Sequence, residues 1–368
     1  MEHTKNNVVI WSWYPNDELD VAELIGFDLY GDAVVKRRYY DKNRFRENDF
    51  NVIVINHFFN DHGKPRGKED LYFADLIIHY TTEVLFGPWE KYTKVLQAHF
   101  NNHKNIITIC NGVSNMDTYP NDRVYIDAQS FFTRIANFCK APAIKNMPES
   151  KIKLFDALLG KQDGRRHKLF DKLKENNLLD SSFVNLFKDD GNDNIQNVYR
   201  SQDLDLYEDH RLIGIKHGSA KFVEHLENGR SMSHSIPKRI YENSWYSLVA
   251  ETNSGTTFIT EKTTKCLLSG RIFVMFAEQG TLAKLKQYGY RTFNDIIDES
   301  YDNEANEDLR FAMAFEQVEK LARIQDHRMV YKKMHETLKH NQRTMLDHPA
   351  RLQGIKDFLL THLKVPKK

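Results

Sequence analysis

Cysteine is scarce in this sequence of 368 residues, which contains Cys110, Cys139 and Cys266 and no C-x-x-C pair. This scarcity argues against a disulfide scaffold and a cysteine-based zinc site, and it favours a reducing compartment. Long apolar runs are also missing, since runs such as Ile272–Ala277 fall far short of the ~20 residues that cross a membrane. The first residues lack a charged region followed by an apolar one, so no secretory signal is expected. The sequence therefore predicts a cytoplasmic protein without a membrane partner.

An excess of charge of one sign is absent as well, because 52 Lys and Arg residues stand against 51 Asp and Glu residues. This balance excludes a histone-type polyanion coat, but it allows a local basic groove. The G-x-x-x-x-G-K-[ST], G-x-G-x-x-G and H-E-x-x-H signatures do not occur. Asp203 and Asp205 have D-x-D spacing but lie in a polar, Asp-rich stretch and are interpreted as solvated. No metal site is predicted.

Hydrophobic residues make up 40% of the chain and aromatic residues 12%, enough for a large core. In the first part of the chain they form short β-branched runs bounded by Asn, Asp or Gly and separated by helical stretches. These runs predict strands over Asn7–Tyr14, Asn51–Phe59, Asp75–Thr81 and Asn105–Asn111. Continuous apolar strands that alternate with helices predict a parallel sheet covered on both faces.

The segment Ala141–Ser150 contains Pro142 and Pro148 and loses periodicity, which indicates a domain boundary. Strand–helix alternation then resumes, and from about Glu304 the chain is almost entirely helical. The sequence predicts an α/β fold of two doubly wound Rossmann-like domains facing a cleft, with a helical C-terminal tail. The expected divisions are 1–145, 146–345 and 346–368. Ligands of such folds collect at the carboxyl ends of the strands, so the cleft is the expected site.

The segment Trp245–Phe276 carries the most information about function. A strand ends near Glu251, and Thr260 is placed to cap the next helix. The first turn of that helix holds Glu261, an acceptor for ribose hydroxyls, and Lys262, a positive charge for a diphosphate. The segment therefore predicts a nucleotide-diphosphate site. The alternative is that the glutamate only favours the helix dipole and the lysine is solvated.

A second strand-to-helix junction, Leu158–His167, opens its helix with Arg165 and Arg166. Arginine suits phosphate because its planar guanidinium donates two parallel hydrogen bonds. Both arginines are therefore candidates for the same anion. The alternative is that both lie on a solvated helix face.

Two stretches, Ala250–Ser254 and Phe258–Lys262, resemble the sugar-nucleotide signature of fucosyltransferase-like GT-B glycosyltransferases. That signature has an E-N-S-like segment followed by an aromatic-aliphatic-T-E-K segment. Leu267–Val274 and Gly289–Phe293 are similar to its continuation. One departure is Thr252, which stands where the family has Asn.

The resemblance implies an inverting, metal-independent transferase that uses a nucleotide-diphosphate sugar as co-substrate and no cofactor. It places the donor on the C-terminal domain and the acceptor on the N-terminal domain, against which the last helix packs back. The donor-binding residues that it implies are Arg165, Arg166, Glu251, Asn253, Glu261 and Lys262. Among these, Glu261 takes the ribose, Lys262 takes phosphate, and Arg166 is favoured over Arg165 for the diphosphate.

Inverting transfer needs a carboxylate within hydrogen-bond distance of the acceptor hydroxyl. Three carboxylates follow predicted strands of the N-terminal half, namely Glu83, Asp17 and Asp117. Glu83 is the first choice because it directly follows a strong strand, as the base does in similar fucosyltransferases. A helix cap or a solvated loop position is the alternative for each of the three.

The acceptor is indicated by two features of the N-terminal half. Trp13 could stack on a base or a sugar, with core packing as the alternative. Arg37 and Arg38 belong to the basic, aromatic cluster Lys36–Arg44, which fits a phosphate backbone or, equally, a charged edge strand.

This cluster, and a resemblance to phage enzymes that glycosylate hydroxymethylated pyrimidines, favour 5-hydroxymethylcytosine in double-stranded phage DNA as the acceptor, with the host cytoplasm as the location. A bacterial surface glycan is the second acceptor. A non-catalytic nucleotide- or nucleic-acid-binding module is the alternative class of function.

Overall fold

The computed structural model describes residues 7–12, 36–39, 49–56, 74–85, 94, 105–113, 123–126, 132, 135–136, 139–161, 164–189, 195–200, 206–208, 211–213, 236–252, 255–347, 354–355, 357–359 and 361. The chain divides into two compact units, one formed by Met1–Ser130 with His348–Lys368 and the other by Phe131–Asp347. The second unit thus begins ahead of the boundary expected after residue 145. Within the described ranges, no helix is both long and apolar enough to cross a bilayer.

The first unit contains a six-stranded parallel sheet. Its strands are β1 (Asn7–Ser12), β2 (Lys36–Tyr39), β3 (Asp49–Asn56), β4 (Leu76–Leu85), β5 (Ile106–Val113) and β6 (Val124–Ile126). Their order across the sheet is β2-β1-β3-β4-β5-β6. Val52 and Ile53 of β3 and Ile77 and Ile78 of β4 are fully buried. Burial on both faces explains why these strands are continuous apolar runs in the sequence.

The second unit contains a five-stranded sheet of order β13-β12-β7-β8-β9, in which only β9 is antiparallel. These strands are β7 (Lys153–Lys161), β8 (Ser182–Asp189), β9 (Ile195–Arg200), β12 (Ser244–Ala250) and β13 (Ile272–Phe276). A separate antiparallel pair is formed by β10 (Leu206–Glu208) and β11 (Arg211–Ile213). These short strands lie in the polar stretch whose structure the sequence pattern did not predict.

The helices of the second unit connect and cover its sheet. They are α1 (Gly164–Glu175), α2 (Lys238–Asn243), α3 (Glu261–Leu268), α4 (Thr281–Gln287), α5 (Glu307–Ala322) and α6 (His327–Leu346), with a short 3₁₀ helix over Glu299–Asn303. Asn306 and Asp326 cap α5 and α6 by accepting hydrogen bonds from backbone N–H groups of the first turn. These caps account for two separate helices in the almost entirely helical tail that the sequence predicts.

In both sheets the chain adds strands on one side of the first strand and then on its other side. In the second unit the chain builds outward from β7 to β9 and then returns to the other side of β7 for β12 and β13. In the first unit β2 lies on one side of β1 and β3 on the other. Because parallel crossovers are right-handed, a reversal places the connections on opposite faces of the sheet. The predicted fold class, an α/β protein with two doubly wound sheets, is confirmed.

The segment that precedes β7 belongs to the second unit because its apolar side chains enter that unit's core. Phe132 is fully buried and stacks on Tyr290, with ring centroids 5.1 Å apart. Ile144 packs against Gly270, which has a φ of +62° and where an added Cβ would lie 2.7 Å from the isoleucine side chain. These contacts explain why the unit starts before the predicted boundary.

A buried ion pair holds the amino-terminal half of the second sheet together. The Arg271 guanidinium donates to the Asp156 carboxylate at 2.5 Å, and both residues are 3% exposed. Its remaining N–H groups reach the Ser247 hydroxyl, both oxygens of Ser244 and the Tyr241 carbonyl. All five N–H donors of the guanidinium are thereby satisfied, which a charge buried this deeply requires.

Replacing this arginine should cost most of the stability of the second unit. In Arg271→Met the Asp156 carboxylate stays buried without its counter-ion, and we expect the free energy of unfolding to fall by about 3–5 kcal/mol. Urea denaturation measures the change, with Lys174→Met on the exposed surface of α1 as the control. A loss below about 1 kcal/mol would show that the buried pair is not needed for stability.

Candidate functional site

The candidate site lies at the carboxyl ends of β7 and β12, two neighbouring parallel strands of the second sheet. This is the point at which the strand order reverses, because β8 lies beyond β7 and β13 beyond β12. Because the chain continues from β7 to one side and from β12 to the other, a ligand crevice is expected between these two strand ends. Open α/β sheets bind their ligands at such a position.

Arg166 connects the two strand ends. It lies in the first turn of α1, just after β7, and its Nη2 donates to the Thr252 hydroxyl at 3.0 Å. Thr252 follows β12, so this hydrogen bond joins the two loops that border the crevice. Arg166 is 7% exposed, which rules out the solvated helix face that was its alternative.

Arg165 has a different role although it is the adjacent residue. Its guanidinium donates to the Glu251 carbonyl at 3.2 Å, to Glu278 at 2.9 Å and to Glu307 at 3.0 Å. Its side chain is 2% exposed. Successive helical residues point about 100° apart, which separates the two arginines. These contacts tie α1 to the ends of β12 and β13 and favour a structural role for Arg165, and its contact with the donor stays a prediction.

The carboxylate of Glu251 fixes the start of α3. It accepts from the Thr260 backbone N–H at 2.9 Å, from the Thr260 hydroxyl at 2.5 Å and from the Thr263 hydroxyl at 2.5 Å. Glu251 is 1% exposed. Both of its oxygens accept hydrogen bonds inside the protein, which favours a positioning role, and its contact with the donor stays a prediction. It is a positioning residue that fastens the helix N-terminus to the end of β12.

Glu261 and Lys262 lie in the first turn of α3 and remain partly accessible, with side chains 19% and 20% exposed. Thr260 caps this turn by accepting from the Lys262 backbone N–H. The Lys262 ammonium lies 3.2 Å from the Thr260 hydroxyl and 3.2 Å from a Glu261 carboxylate oxygen. The predicted N-terminal cap is confirmed by this geometry.

The Glu261 carboxylate is held in its ionised form. Burial alone would raise its pKa, but the positive charges of Lys262 and Lys265 outweigh burial and lower the pKa to about 2. Glu261 is therefore a hydrogen-bond acceptor without a proton to donate throughout the neutral range. Such a group can accept hydrogen bonds from ligand hydroxyls, while the adjacent ammonium attracts negative charge.

Only some of the predicted site residues are brought together by the described structure. The two strand-to-helix junctions at this switch point carry Arg166 on one side and Glu261 and Lys262 on the other. Thr252 also belongs here, because it accepts a hydrogen bond from Arg166. In the sequence it is only a departure from the family pattern. Glu278, which anchors Arg165, was also missed, and its position directly after a predicted strand was the available signal. Asn253, Asp17, Asp117, Trp13, Asp203 and Asp205 lie outside the described residues.

The backbone positions of three N-terminal candidates are described. Glu83 lies inside β4, whose pairing with β5 shifts register between Thr81 and Val84, so the strand continues past its predicted end. This corrects the placement of Glu83 after the strand. Arg37 and Arg38 lie on β2, which is the edge strand of the first sheet within the described ranges. This placement agrees with the alternative interpretation of Lys36–Arg44, in which the charges protect an edge strand.

Removing the charge of the anchoring carboxylate should loosen the start of α3. In Glu251→Gln an amide NH₂ replaces one carboxylate oxygen, so a hydroxyl of Thr260 or Thr263 loses its hydrogen-bond acceptor. We expect the free energy of unfolding to fall by about 1–3 kcal/mol. Amide hydrogen exchange should also become faster in the first turn of α3. Glu316→Gln on the exposed surface of α5 is the matched control. Unchanged exchange in that turn would contradict the anchoring role.

No protein-family model matches this sequence, and no curated protein matches it. Among solved structures, a T4 phage BGT mutant in complex with UDP-glucose is similar to this chain. The two share 12% sequence identity, the match covers 97% of this chain and 99% of that one, and the TM-score is 0.49. A likeness at this level does not identify an activity, so the functional conclusion depends on the residues at the strand ends.

Proposed function

We propose that this chain is a glycosyltransferase of GT-B type that transfers a sugar from a nucleotide-diphosphate donor. The observation that carries the proposal is the crevice between β7 and β12, where the Arg166 guanidinium reaches the Thr252 hydroxyl beside the capped N-terminus of α3. A diphosphate at this place would meet a guanidinium, an ammonium and a helix N-terminus, three features that favour anions. The T-E-K resemblance supports the same assignment.

Each side chain has a distinct part in this proposal. Arg166 and Lys262 contact the diphosphate, and Glu261 accepts hydrogen bonds from the ribose hydroxyls. Glu251 and Arg165 hold these groups in place. As the sugar–phosphate bond breaks, negative charge grows on the departing diphosphate, and the same cations stabilise that charge. These groups offer charge stabilisation that needs no metal ion.

The transfer itself is a direct displacement with inversion. The acceptor oxygen forms a bond to the anomeric carbon while the bond from that carbon to the phosphate oxygen breaks. The acceptor proton passes to a carboxylate, for which Glu83 is the first candidate and Asp17 and Asp117 are the others. The nucleoside diphosphate leaves with the bonding electron pair.

The proposed acceptor is 5-hydroxymethylcytosine in double-stranded phage DNA. The basic β2 segment supports a polyanionic acceptor, with Arg37 and Arg38 as contact candidates and Trp13 as a stacking candidate. An enzyme that modifies a base must take it out of the duplex, and an aromatic side chain can occupy or cover the vacated position. A bacterial surface glycan would not need a basic surface of this kind.

A thermal-shift panel of UDP, GDP, ADP and CMP tests the donor site. A ligand that binds only the native state stabilises it by about 2.7 kcal/mol at one hundred times its Kd, so one nucleoside diphosphate should raise the Tm clearly. We expect Arg166→Met and Lys262→Met each to weaken that nucleotide about 10–100-fold, since each removes a charge-assisted hydrogen bond to phosphate.

Arg165→Met is the matched control for Arg166→Met, because it removes the adjacent arginine of the same helix turn. It should lower the Tm of the free protein, since Glu278 and Glu307 lose their contacts with the Arg165 guanidinium, and leave nucleotide affinity less affected. If no nucleotide shifts the Tm of the unmodified chain, the donor site is wrong and a non-catalytic binding module becomes the better description.

Glu83→Gln separates the chemical step from donor binding. The amide cannot take the acceptor proton, so we expect turnover with hydroxymethylcytosine-containing duplex DNA to fall by at least about 100-fold while the nucleotide thermal shift is retained. Asp17→Asn and Asp117→Asn, measured in parallel, identify the base if Glu83→Gln keeps normal turnover. Transfer to a glycan but not to DNA would replace the proposed acceptor.

A further inference from the structure

Helix α6 carries an unusual concentration of positive charge for a chain whose net charge is +1. Its Lys and Arg residues are Arg328, Lys332, Lys333, Lys339 and Arg343, and its one acidic residue is Glu336. The five cations are all exposed. The balanced charge of the whole sequence therefore conceals a local basic surface.

Four of these cations form one line along the helix. Arg328, Lys332, Lys339 and Arg343 are separated by four, seven and four residues, and each interval is close to a whole number of 3.6-residue turns. At 1.5 Å per residue the line is about 22 Å long. We call these four residues the α6 stripe. Lys333 is not part of it, because its ammonium donates to the Asp295 carbonyl.

No acidic side chain neutralises the α6 stripe within the part of the chain that the structure describes. Glu336 lies one turn from Lys332 and from Lys339, yet it forms an ion pair with neither at 4.0 Å or less. Some cations elsewhere on the surface of this unit are paired with carboxylates, as Lys145 is with Glu149 and Lys172 with Glu175. The stripe thus presents four positive charges to solvent.

Another face of α6 is buried against the core of the second unit. Tyr331, Met334, Leu338 and Met345 are buried in the core of the second unit. A helix that binds a bilayer inserts a continuous apolar face among the lipids, whereas the exposed apolar side chains of α6, Met329 and Leu346, lie near its two ends. A surface of aligned charges without a continuous exposed apolar face is better suited to a polyanion.

We infer that the α6 stripe is a docking surface for the phosphate backbone of double-stranded nucleic acid. Its length of about 22 Å corresponds to about six base pairs at 3.4 Å each. Contacts to backbone phosphates carry no sequence information, so the stripe would fix the position of the duplex and leave recognition of the base to other residues. The inference deepens the proposed DNA acceptor and rests on that part of the proposed function.

The salt dependence of duplex binding tests this inference. Binding of an unmodified DNA duplex to the full chain is measured by fluorescence anisotropy between about 50 and about 200 mM salt. Each phosphate contact contributes about 0.9 to the slope of log K against log salt concentration. We therefore expect Lys332→Gln/Lys339→Gln to make the slope shallower by about 1.8 and to weaken binding at low salt.

The matched control is Lys145→Gln/Lys172→Gln, which removes the same number of charges from exposed positions outside the stripe and should leave the slope nearly unchanged. An equal slope for the stripe variant and the unmodified chain would overturn the inference, as would the absence of any duplex binding. Binding to phosphatidylserine vesicles in place of DNA would assign the surface to lipid and overturn it too.

The Tm shift caused by nucleotides tests the donor site independently of DNA binding, so the two proposals can fail separately. If a nucleotide raises the Tm normally but the stripe variant has the same salt slope as the unmodified chain, the donor site is supported and the docking surface is wrong. If the stripe variant has a shallower salt slope but no nucleotide raises the Tm, the docking surface is supported and the transferase proposal is wrong.

Discussion

One buried carboxylate determines where a site can form in the second unit. Glu251 ends β12, and its oxygens accept three hydrogen bonds from Thr260 and Thr263. Without an acceptor at this position, the buried threonine hydroxyls would lack a partner, which costs about 1–3 kcal/mol for each group. The carboxylate thus fixes the N-terminus of α3 at the switch point of the sheet. The proposed roles of Glu261 and Lys262 depend on that placement.

The two ends of the second sheet serve different purposes. At the amino-terminal half, Arg271 and Asp156 form a buried pair whose donors are all satisfied, an arrangement that permits little movement. At the carboxyl ends, the Lys262 ammonium lies 3.2 Å from a Glu261 oxygen and its side chain remains one-fifth exposed. A fully enclosed ion pair stabilises the fold, whereas a charge that is still partly exposed can also bind a ligand.

Different contacts distinguish Arg165, which reaches Glu278 and Glu307, from Arg166, which reaches Thr252. The sequence places both arginines at one strand-to-helix junction, and neither residue type nor spacing tells them apart. Glu278 and Glu307, which neutralise Arg165, lie 113 and 142 residues away along the chain. The partners of Glu251, Thr260 and Thr263, likewise look like ordinary helix-start residues in the sequence. Long-range partners decide whether a charged side chain faces a ligand or the protein.

By itself, the sequence determined the fold class, most strand positions and the cap at Thr260, because these follow from local apolar runs and local hydrogen-bonding chemistry. It also contained the α6 cations at intervals close to whole helical turns, although only their exposure in the folded chain shows that they point to solvent. Tertiary structure alone decided the start of the second unit, the extension of β4 past Thr81 and the separate roles of the two arginines. Those features arise from contacts between residues far apart in the chain, and a local pattern cannot encode which distant group will neutralise a charge.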